Sequence, residues 1–147
     1  MTVNKMTAAD VPAAAALEQR VFTGECWKEE DFYAALEDPA RLFLAACDDG
    51  VLLGFCGLQQ SFEQGDILTL AVRPDFRRRG VGSALLQALI RAFRATGGTA
   101  LFLEVRRSNT AAIALYEKNG FRRQGIRRGY YQQPDEDGLV YVLEVAQ

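Results

Sequence analysis

The sequence predicts one mixed α/β (α+β) domain with about seven strands. Segments with the apolar patterns of strands alternate with segments in which apolar residues recur at helical spacing. Proline and glycine stand singly where elements would turn, without an interdomain linker or an internal repeat. The chain has 147 residues, which is enough to bury one continuous core. We therefore expect residues 1–147 to form a single domain.

A strand and two helices are expected first. Residues 3–6 suit a short strand, and residues 13–21 suit a helix that Thr7 or Asp10 can cap. A second helix ends before Pro39, because the residue that precedes a proline disfavours helical geometry.

A hairpin and a further strand follow. Residues 41–47 and 51–62 are predicted strands, and the Asp49-Gly50 step between them favours a tight turn. Residues 66–73 continue the sheet. Beyond Gly80, apolar side chains recur at helical spacing, namely Val81, Ala84, Leu85, Ala88, Leu89 and Phe93.

The C-terminal part contains one unusual strand. Residues 101–105 are almost continuously apolar, and Glu104 is the exception that needs explaining. Asn109 can cap the helix that follows, and Gly120 suits the left-handed position at its end. The last elements are two strands and a polar, acidic loop between them, over residues 121–131, 139–145 and 132–138 respectively.

Charge and hydropathy argue against two kinds of partner. The net charge of −2 is unlike that of a nucleic-acid-binding protein, which normally presents a basic surface. No apolar run approaches the roughly 20 residues of a membrane-spanning helix, and the first residues lack a secretory apolar stretch. We therefore expect a cytoplasmic protein with neither nucleic acid nor a membrane as its partner.

The absence of histidine removes several chemistries together. Ser-His-Asp and Cys-His catalysis are excluded, and the commonest metal ligand is missing. Cys26, Cys47 and Cys56 lack paired spacing, so we expect neither a disulfide framework nor a metal site. Any proton transfer must use Glu, Asp, Tyr, Lys, Cys or water.

One segment has the properties of an anion site. Pro74, three arginines and the glycines Gly80 and Gly82 lie between a predicted strand and a helix. The first N–H groups of a helix are unpaired, its dipole favours an anion, and glycine allows close approach, so a pyrophosphate would fit. The segment lacks both the G-K-[ST] of a nucleotide loop and the third glycine of a dinucleotide fingerprint. Alone, it could equally be a charged turn before an ordinary helix.

This segment resembles the R/Q-x-x-G-x-G/A motif of the GNAT superfamily of N-acetyltransferases, matched by Arg77, Gly80 and Gly82. Residues 103–109 (L-E-V-R-R-S-N) and 112–121 (A-I-A-L-Y-E-K-N-G-F) resemble the second half of the family pattern. With the strands and helices, the resemblance covers essentially the whole chain. It implies a mixed, mostly antiparallel sheet with helices on both faces, opened near its middle where acetyl-CoA inserts.

Within the superfamily, the chain is similar to the RimI-type enzymes, which acetylate the N-terminal alanine of a small-subunit ribosomal protein. The matching positions are Glu18, Cys26-Trp27, I-R-R-G-Y-Y at 126–131, and Glu136-Asp137. Two departures are Lys28, where Ser or Thr is common, and Gly138, where Ala is common. Both lie in substrate-side regions, so they bear on the acceptor and not on the fold.

The resemblance also implies which residues bind acetyl-CoA. The backbone of Leu70, Ala71 and Val72 would pair with the pantetheine arm like an added strand. The other cofactor-binding residues would be Arg77, Arg78, Arg79, Gly80, Val81, Gly82, Ser83 and Asn109.

Two catalytic residues follow from the resemblance, with Glu104 as general base and Tyr116 as general acid. The chemistry needs both roles, because the attacking amine loses a proton and the departing CoA thiolate gains one. The alternatives are a solvent-facing strand carboxylate and a packing tyrosine. Transfer would be direct, since no histidine is present to activate Cys26 as a nucleophile.

For the acceptor, the resemblance implies a protein N-terminus, such as that of a ribosomal protein. The residues expected around it are Trp27, Tyr130, Tyr131, Glu136 and Asp137, the two acids attracting the cationic amine. A lysine side chain, a polyamine or another small amine is the alternative acceptor, because a fold does not determine its substrate. A CoA-binding regulatory protein without turnover is the alternative from another class.

Overall fold

A computed structural model describes residues 1–146. Its strands are β1 (Thr2–Lys5), β2 (Arg41–Asp48), β3 (Val51–Ser61), β4 (Gln64–Val72), β5 (Ala100–Arg106), β6 (Arg122–Tyr131) and β7 (Glu136–Glu144). Its helices are α1 (Val11–Val21), α2 (Glu29–Leu36), α3 (Val81–Ala95) and α4 (Thr110–Lys118), with short 3-10 turns at Ala8–Asp10 and Pro74–Phe76. No helix of residues 1–146 is both long and apolar enough to span a membrane.

The strands form one seven-stranded sheet in the order β1-β2-β3-β4-β5-β7-β6. Every neighbouring pair is antiparallel except β4 and β5, which are parallel. The prediction of a mixed, mostly antiparallel sheet of about seven strands is therefore confirmed.

The sheet opens between β4 and β5. These strands pair only where residues 64–66 meet residues 100–102, at the start of each strand. In the next part of β4, Gly57 lies opposite Thr69 and Leu58 opposite Ile67, so Leu68 is an extra residue, or β-bulge. A bulge increases the local twist of its strand and disturbs the regular ladder. From Ile67 onward, β4 therefore has an edge that is not paired with β5.

Helices cover both faces of this sheet, as predicted. Successive side chains of a strand point to opposite faces, and β2 shows the consequence. Phe43 and Ala45 join the core beneath α1 and α2, whereas Leu44 and Ala46 join the core beneath α3. The sheet thus separates two apolar cores, and the opening between β4 and β5 lies between helices of both layers.

The predicted turn chemistry is confirmed at the β2–β3 hairpin, where both Asp49 and Gly50 have positive φ. The acidic segment near the C-terminus differs from prediction. β7 begins at Glu136, so Glu136 and Asp137 belong to a strand and the loop spans only residues 132–135. Pairing of Tyr131 with Glu136 extends the β6–β7 ladder to this point.

Candidate active site

The opening between β4 and β5 forms a cavity of about 520 Å³. The two separated strands supply facing walls, and the segment after α1, the helix α4 and the end of β6 enclose the rest. Its lining includes Glu18, Phe22, Thr69, Leu70, Glu104, Asn109, Tyr116, Tyr130 and Tyr131. Residues that are more than a hundred positions apart in the chain therefore meet around one space.

Glu104 lies on the β5 wall, with 28% of its side chain exposed. Its Oε1 atom is 3.1 Å from a guanidinium nitrogen of Arg127, which also lies 5.0 Å from the centre of the Tyr130 ring. A hydrogen bond to the Glu104 carboxylate raises the pKa of Tyr130, and partial burial acts in the same direction. The carboxylate therefore faces a cavity within a small polar cluster, and it does not simply point to bulk solvent.

Tyr116, on α4, is only 6% exposed and lines the same cavity. Its ring packs against Phe121 with 5.6 Å between the ring centres. Burial raises the pKa of Tyr116 well above its ordinary value of 10, because ionisation would place a charge in an apolar environment. The phenol consequently holds its proton at neutral pH, which is the state that a general acid needs.

Glu18, on α1, is a cavity residue that the sequence analysis named only as a matching position of the RimI-type pattern, without a role in the site. It is only 3% exposed, and its Oε1 atom accepts a hydrogen bond of 2.9 Å from the Thr69 hydroxyl. Its Oε2 atom accepts one of 3.1 Å from the backbone N–H of Trp27. Burial raises the pKa of Glu18 above 4.5, although both hydrogen bonds act in the opposite direction. A helical position that looks like one more surface glutamate thus places a carboxyl group in the cavity wall.

The expected donor segment lies at the far end of β4. Leu70 lines the cavity, Ala71 is buried, and Val72 packs against the core beneath α3. Pairing of β4 with β5 has already ended here, so one edge of this strand is open to an added strand. Asn109, also in the cavity lining, accepts a hydrogen bond from the N–H of Ala112 and caps α4, as predicted.

The start of α3 is the segment for which the sequence predicts an anion site. Gly80 has a φ of +81°, and no side chain caps the helix. A Cβ on Gly80 would meet no atom within 4 Å, so the space beside this residue is open. The three arginines Arg77, Arg78 and Arg79 are exposed beside it, and Arg78 itself has a positive φ. Val81 is buried, and the Ser83 hydroxyl is 3.4 Å from the Asn119 amide.

Gly82 has a second role that the motif did not indicate. It is buried, and a Cβ there would lie 2.9 Å from a terminal methyl of Leu115 and 3.6 Å from one of Val72. The missing side chain therefore lets α3 pack closely against α4 and the end of β4. This glycine is constrained by packing inside the protein as well as by any ligand outside it.

Trp27 is placed differently from expectation, because its ring is not part of the cavity lining. The ring centre lies 5.4 Å from that of Phe32 and 5.2 Å from that of Phe43, with the Arg41 guanidinium above it at 5.7 Å. An indole packs its large apolar surface best among other rings, and Phe32 of α2 and Phe43 of β2 provide them. The contact of Trp27 with the site is instead its backbone N–H, which donates to Glu18.

Glu136 and Asp137 also differ from expectation, since arginines already neutralise both. Glu136 accepts hydrogen bonds from Arg106 at 3.1 Å and from the hydroxyl and N–H of Ser108. Burial by itself would raise the pKa of Glu136, but these hydrogen bonds leave it below 4.5. Asp137 lies 3.4 Å from an Arg107 nitrogen and accepts from the N–H of Gly129. These acids brace the β5–β6–β7 region and do not present free charge to an amine.

Tyr130 and Tyr131 do line the cavity. Their ring centres are 5.0 Å apart at an interplanar angle of 80°, and the Arg106 guanidinium lies 4.6 Å from the Tyr131 ring. Burial, followed by the nearby charge of Glu104, raises the pKa of Tyr131 to about 12. The two tyrosines therefore form a neutral aromatic corner at the mouth of the site.

Comparison with known proteins identifies the family. Residues 12–121 match the model of the acetyltransferase (GNAT) family. The chain belongs to this family. The enzyme is 37% identical over 147 residues to the ribosomal protein bS18-alanine N-acetyltransferase of Escherichia coli K12, covering 99% of this chain and 98% of that one. It is 35% identical to the N-alpha-acetyltransferase RimI of Mycobacterium tuberculosis H37Rv, covering 95% and 90% of the two chains.

Solved structures agree with this assignment. The crystal structure of the ribosomal-protein-S18-alanine N-acetyltransferase from Escherichia coli superposes with a TM-score of 0.88 at 35% identity, covering 99% of this chain and 94% of that one. An aminoglycoside 6'-N-acetyltransferase complexed with coenzyme A has a TM-score of 0.87, at 17% identity and with coverage of 100% and 98%. The latter similarity concerns the fold alone.

Proposed function

We propose that this acetyltransferase transfers the acetyl group of acetyl-CoA to the α-amine of a protein N-terminus, with alanine as the first residue. The observation that carries the proposal is that Glu104 and Tyr116 line one cavity, beside an open strand edge. The Escherichia coli relative is named for the same reaction on ribosomal protein bS18.

The donor site fits the chemistry of acetyl-CoA. The free edge of β4 at residues 70–72 offers backbone N–H and C=O groups to an amide-containing arm, as one strand offers them to another. The uncapped start of α3 and its three exposed arginines suit a pyrophosphate. A protein of the same fold is known in complex with coenzyme A.

Glu104 and Tyr116 then divide the proton transfers. Glu104 takes one proton from the acceptor ammonium, directly or through water, and the neutral nitrogen then forms a bond to the thioester carbonyl carbon. The carbon–sulfur bond breaks as the CoA sulfur takes the proton that Tyr116 holds, and the second proton lost by the nitrogen restores the Tyr116 phenol. Cys26 is a poor alternative as an acyl carrier, because burial and the nearby charge of Glu18 raise the pKa of its thiol.

An N-terminal amine suits this site better than a lysine does. An α-amine has a pKa near 8 and a lysine amine one near 10.4, so at pH 7 the reactive neutral fraction of lysine is lower by about two orders of magnitude. The aromatic corner of Tyr130 and Tyr131 offers flat, neutral surface against which a peptide backbone can lie. We therefore place the first residues of the peptide between this corner and residues 22–25, which also line the cavity.

The proposal is tested by acetyl-CoA turnover with a panel of amines. A peptide that begins with alanine and contains an internal lysine should gain one acetyl group at its α-amine, located by fragmentation mass spectrometry. The same peptide with a blocked N-terminus, free polyamines and free lysine should react at least tenfold more slowly. Acetylation of the lysine in the blocked peptide, with none at the free N-terminus, would establish the side-chain alternative. Binding of acetyl-CoA without turnover of any amine would establish the regulatory alternative.

A further inference from the structure

Glu18 is the one buried charged side chain among residues 1–146. Its two hydrogen-bond donors, the Thr69 hydroxyl and the Trp27 N–H, are both neutral. None of the ion pairs within residues 1–146 includes it. The chain therefore buries a carboxylate in the cavity wall and does not itself supply a cation for it.

The other carboxylates near the site are either exposed, as is Glu25 in the cavity lining, or paired with an arginine. Glu104 is paired with Arg127, and Glu136 with Arg106. Burying a carboxylate without a cation is unfavourable, and a neutral glutamine could make both contacts, its carbonyl oxygen accepting from the Trp27 N–H and its amide NH2 donating to the Thr69 hydroxyl. Fixing the segment after α1 to β4 does not by itself require a negative charge at this position.

Glu18 lines the cavity and has hydrogen-bonding capacity that the chain does not use. A carboxylate has about four lone-pair sites, and two of those on Glu18 are used. Thr69, which orients Oε1, directly precedes Leu70 of the proposed donor strand. Glu104 lies on the opposite wall, on β5. A cationic group that entered the cavity would thus find one carboxylate on each side of the β4–β5 opening.

We propose that Glu18 binds the protonated α-amine of the acceptor and orients it before Glu104 takes its proton. The inference rests on the proposed function, since it assumes that the acceptor is a primary amine that enters as an ammonium group. Glu18 would be the counter-charge that Glu136 and Asp137, already held by arginines, do not provide. The proposal concerns binding only, and the bonds made and broken are those of the acetyl transfer.

The test compares two peptides on the complex of the enzyme with CoA, which cannot turn over. One peptide begins with alanine, and the other carries a propionyl group in its place, so that only the ammonium is missing. In the wild type, calorimetry should show the alanyl peptide binding about tenfold or more tightly than the propionyl peptide, as expected for a hydrogen bond between charged groups. Glu18→Gln should abolish most of this difference by weakening only the alanyl peptide.

Two further variants separate charge from structure. Glu63→Gln removes an exposed carboxylate from the β3–β4 turn and should keep the full preference. Thr69→Val removes one hydrogen-bond donor but keeps the carboxylate, so it should also keep a clear preference for the alanyl peptide. It serves as the test if Glu18→Gln does not fold. An unchanged preference in Glu18→Gln, an equal loss of both peptides, or loss of the preference in Thr69→Val would overturn the proposal.

Failure of the proposed function gives a different result. If the wild type acetylates another amine and not the peptide, the same comparison is made with that amine and its analogue lacking the amino group. The variants then test the role of Glu18, whereas the turnover assay alone tests whether the acceptor is a peptide.

Discussion

Replacing Tyr116 with phenylalanine removes one hydroxyl from the cavity and little else. The residue is 6% exposed, and its ring would keep the contact with Phe121 at 5.6 Å. We therefore expect the free energy of unfolding to change by no more than about 1 kcal/mol. A general acid contributes about 10² to 10⁴ in rate, equivalent to roughly 2.7 to 5.4 kcal/mol of transition-state stabilisation.

The lower end of this range applies here. A thiolate with a pKa near 8.5 can leave without immediate protonation, so loss of the acid should cost about 10² in kcat. The donor affinity should not change, because the hydroxyl acts on the sulfur only as the bond breaks. Since burial raises the pKa of Tyr116 above 10, wild-type activity should show no loss from its ionisation up to about that pH.

The assay is thiol release from acetyl-CoA with a saturating acceptor, combined with calorimetric titration of the donor. Tyr33→Phe, an exposed tyrosine on α2, provides the matched control and should behave as the wild type. A Tyr116→Phe variant that keeps more than a tenth of the wild-type kcat would show that Tyr116 is a packing residue and not the acid.

The remaining predictions concern the base, the glycine at α3 and the stability cost of Glu18. Glu104→Gln should lower turnover at pH 7 by about 10² to 10⁴, and its turnover should recover partly at pH 9, where the α-amine loses its proton unaided. Turnover of the variant that does not rise between pH 7 and pH 9 would contradict the role of Glu104 as general base. Gly82→Val should lower the free energy of unfolding by about 1–3 kcal/mol as well as the affinity for acetyl-CoA, because even a Cβ lies 2.9 Å from Leu115. An unchanged urea midpoint together with normal calorimetric affinity would refute both effects. The pKa of Glu18 is higher in the folded chain than its unfolded value near 4.5. The free energy of unfolding of the wild type should therefore fall as the pH rises from the unfolded pKa through the folded pKa, and Glu18→Gln should lack this decline. Melting temperatures between pH 4 and 8 measure this, and a steeper fall in the variant would show that the sign is wrong.

Much of the local architecture could be predicted from the sequence, because it depends on interactions between residues close in the chain. The Asp49-Gly50 turn has positive φ at both residues, and Asn109 caps α4 through a hydrogen bond to the third residue beyond it. Glu104 was singled out because it interrupts an apolar strand, and the structure places it in the cavity wall. Such features follow from backbone geometry and from the spacing of apolar residues, which a few neighbouring residues determine.

The acceptor side of the site could not be predicted in the same way. Glu136 and Asp137 looked available to an amine because their partners, Arg106 and Arg107, lie 30 residues earlier in the chain. Trp27 was expected to line the acceptor groove, but its ring packs instead against Phe32 and Phe43. The sequence identifies the chemical group of a charged or aromatic residue. Whether that group is free to bind a substrate depends on which distant residues pack next to it.

The sequence by itself determined the order of elements, the turn and cap residues, the glycine-opened start of α3 and the family resemblance. Only the tertiary structure decided where the pairing of β4 with β5 ends, and which carboxylates are buried in the cavity wall or already paired with an arginine. Glu18 illustrates the division, since its hydroxyl partner Thr69 is 51 residues away and is brought to it by packing of α1 on β4. Local patterns are set by steric and hydrogen-bonding preferences within a few residues, whereas the burial of a charge depends on the register and packing of distant elements.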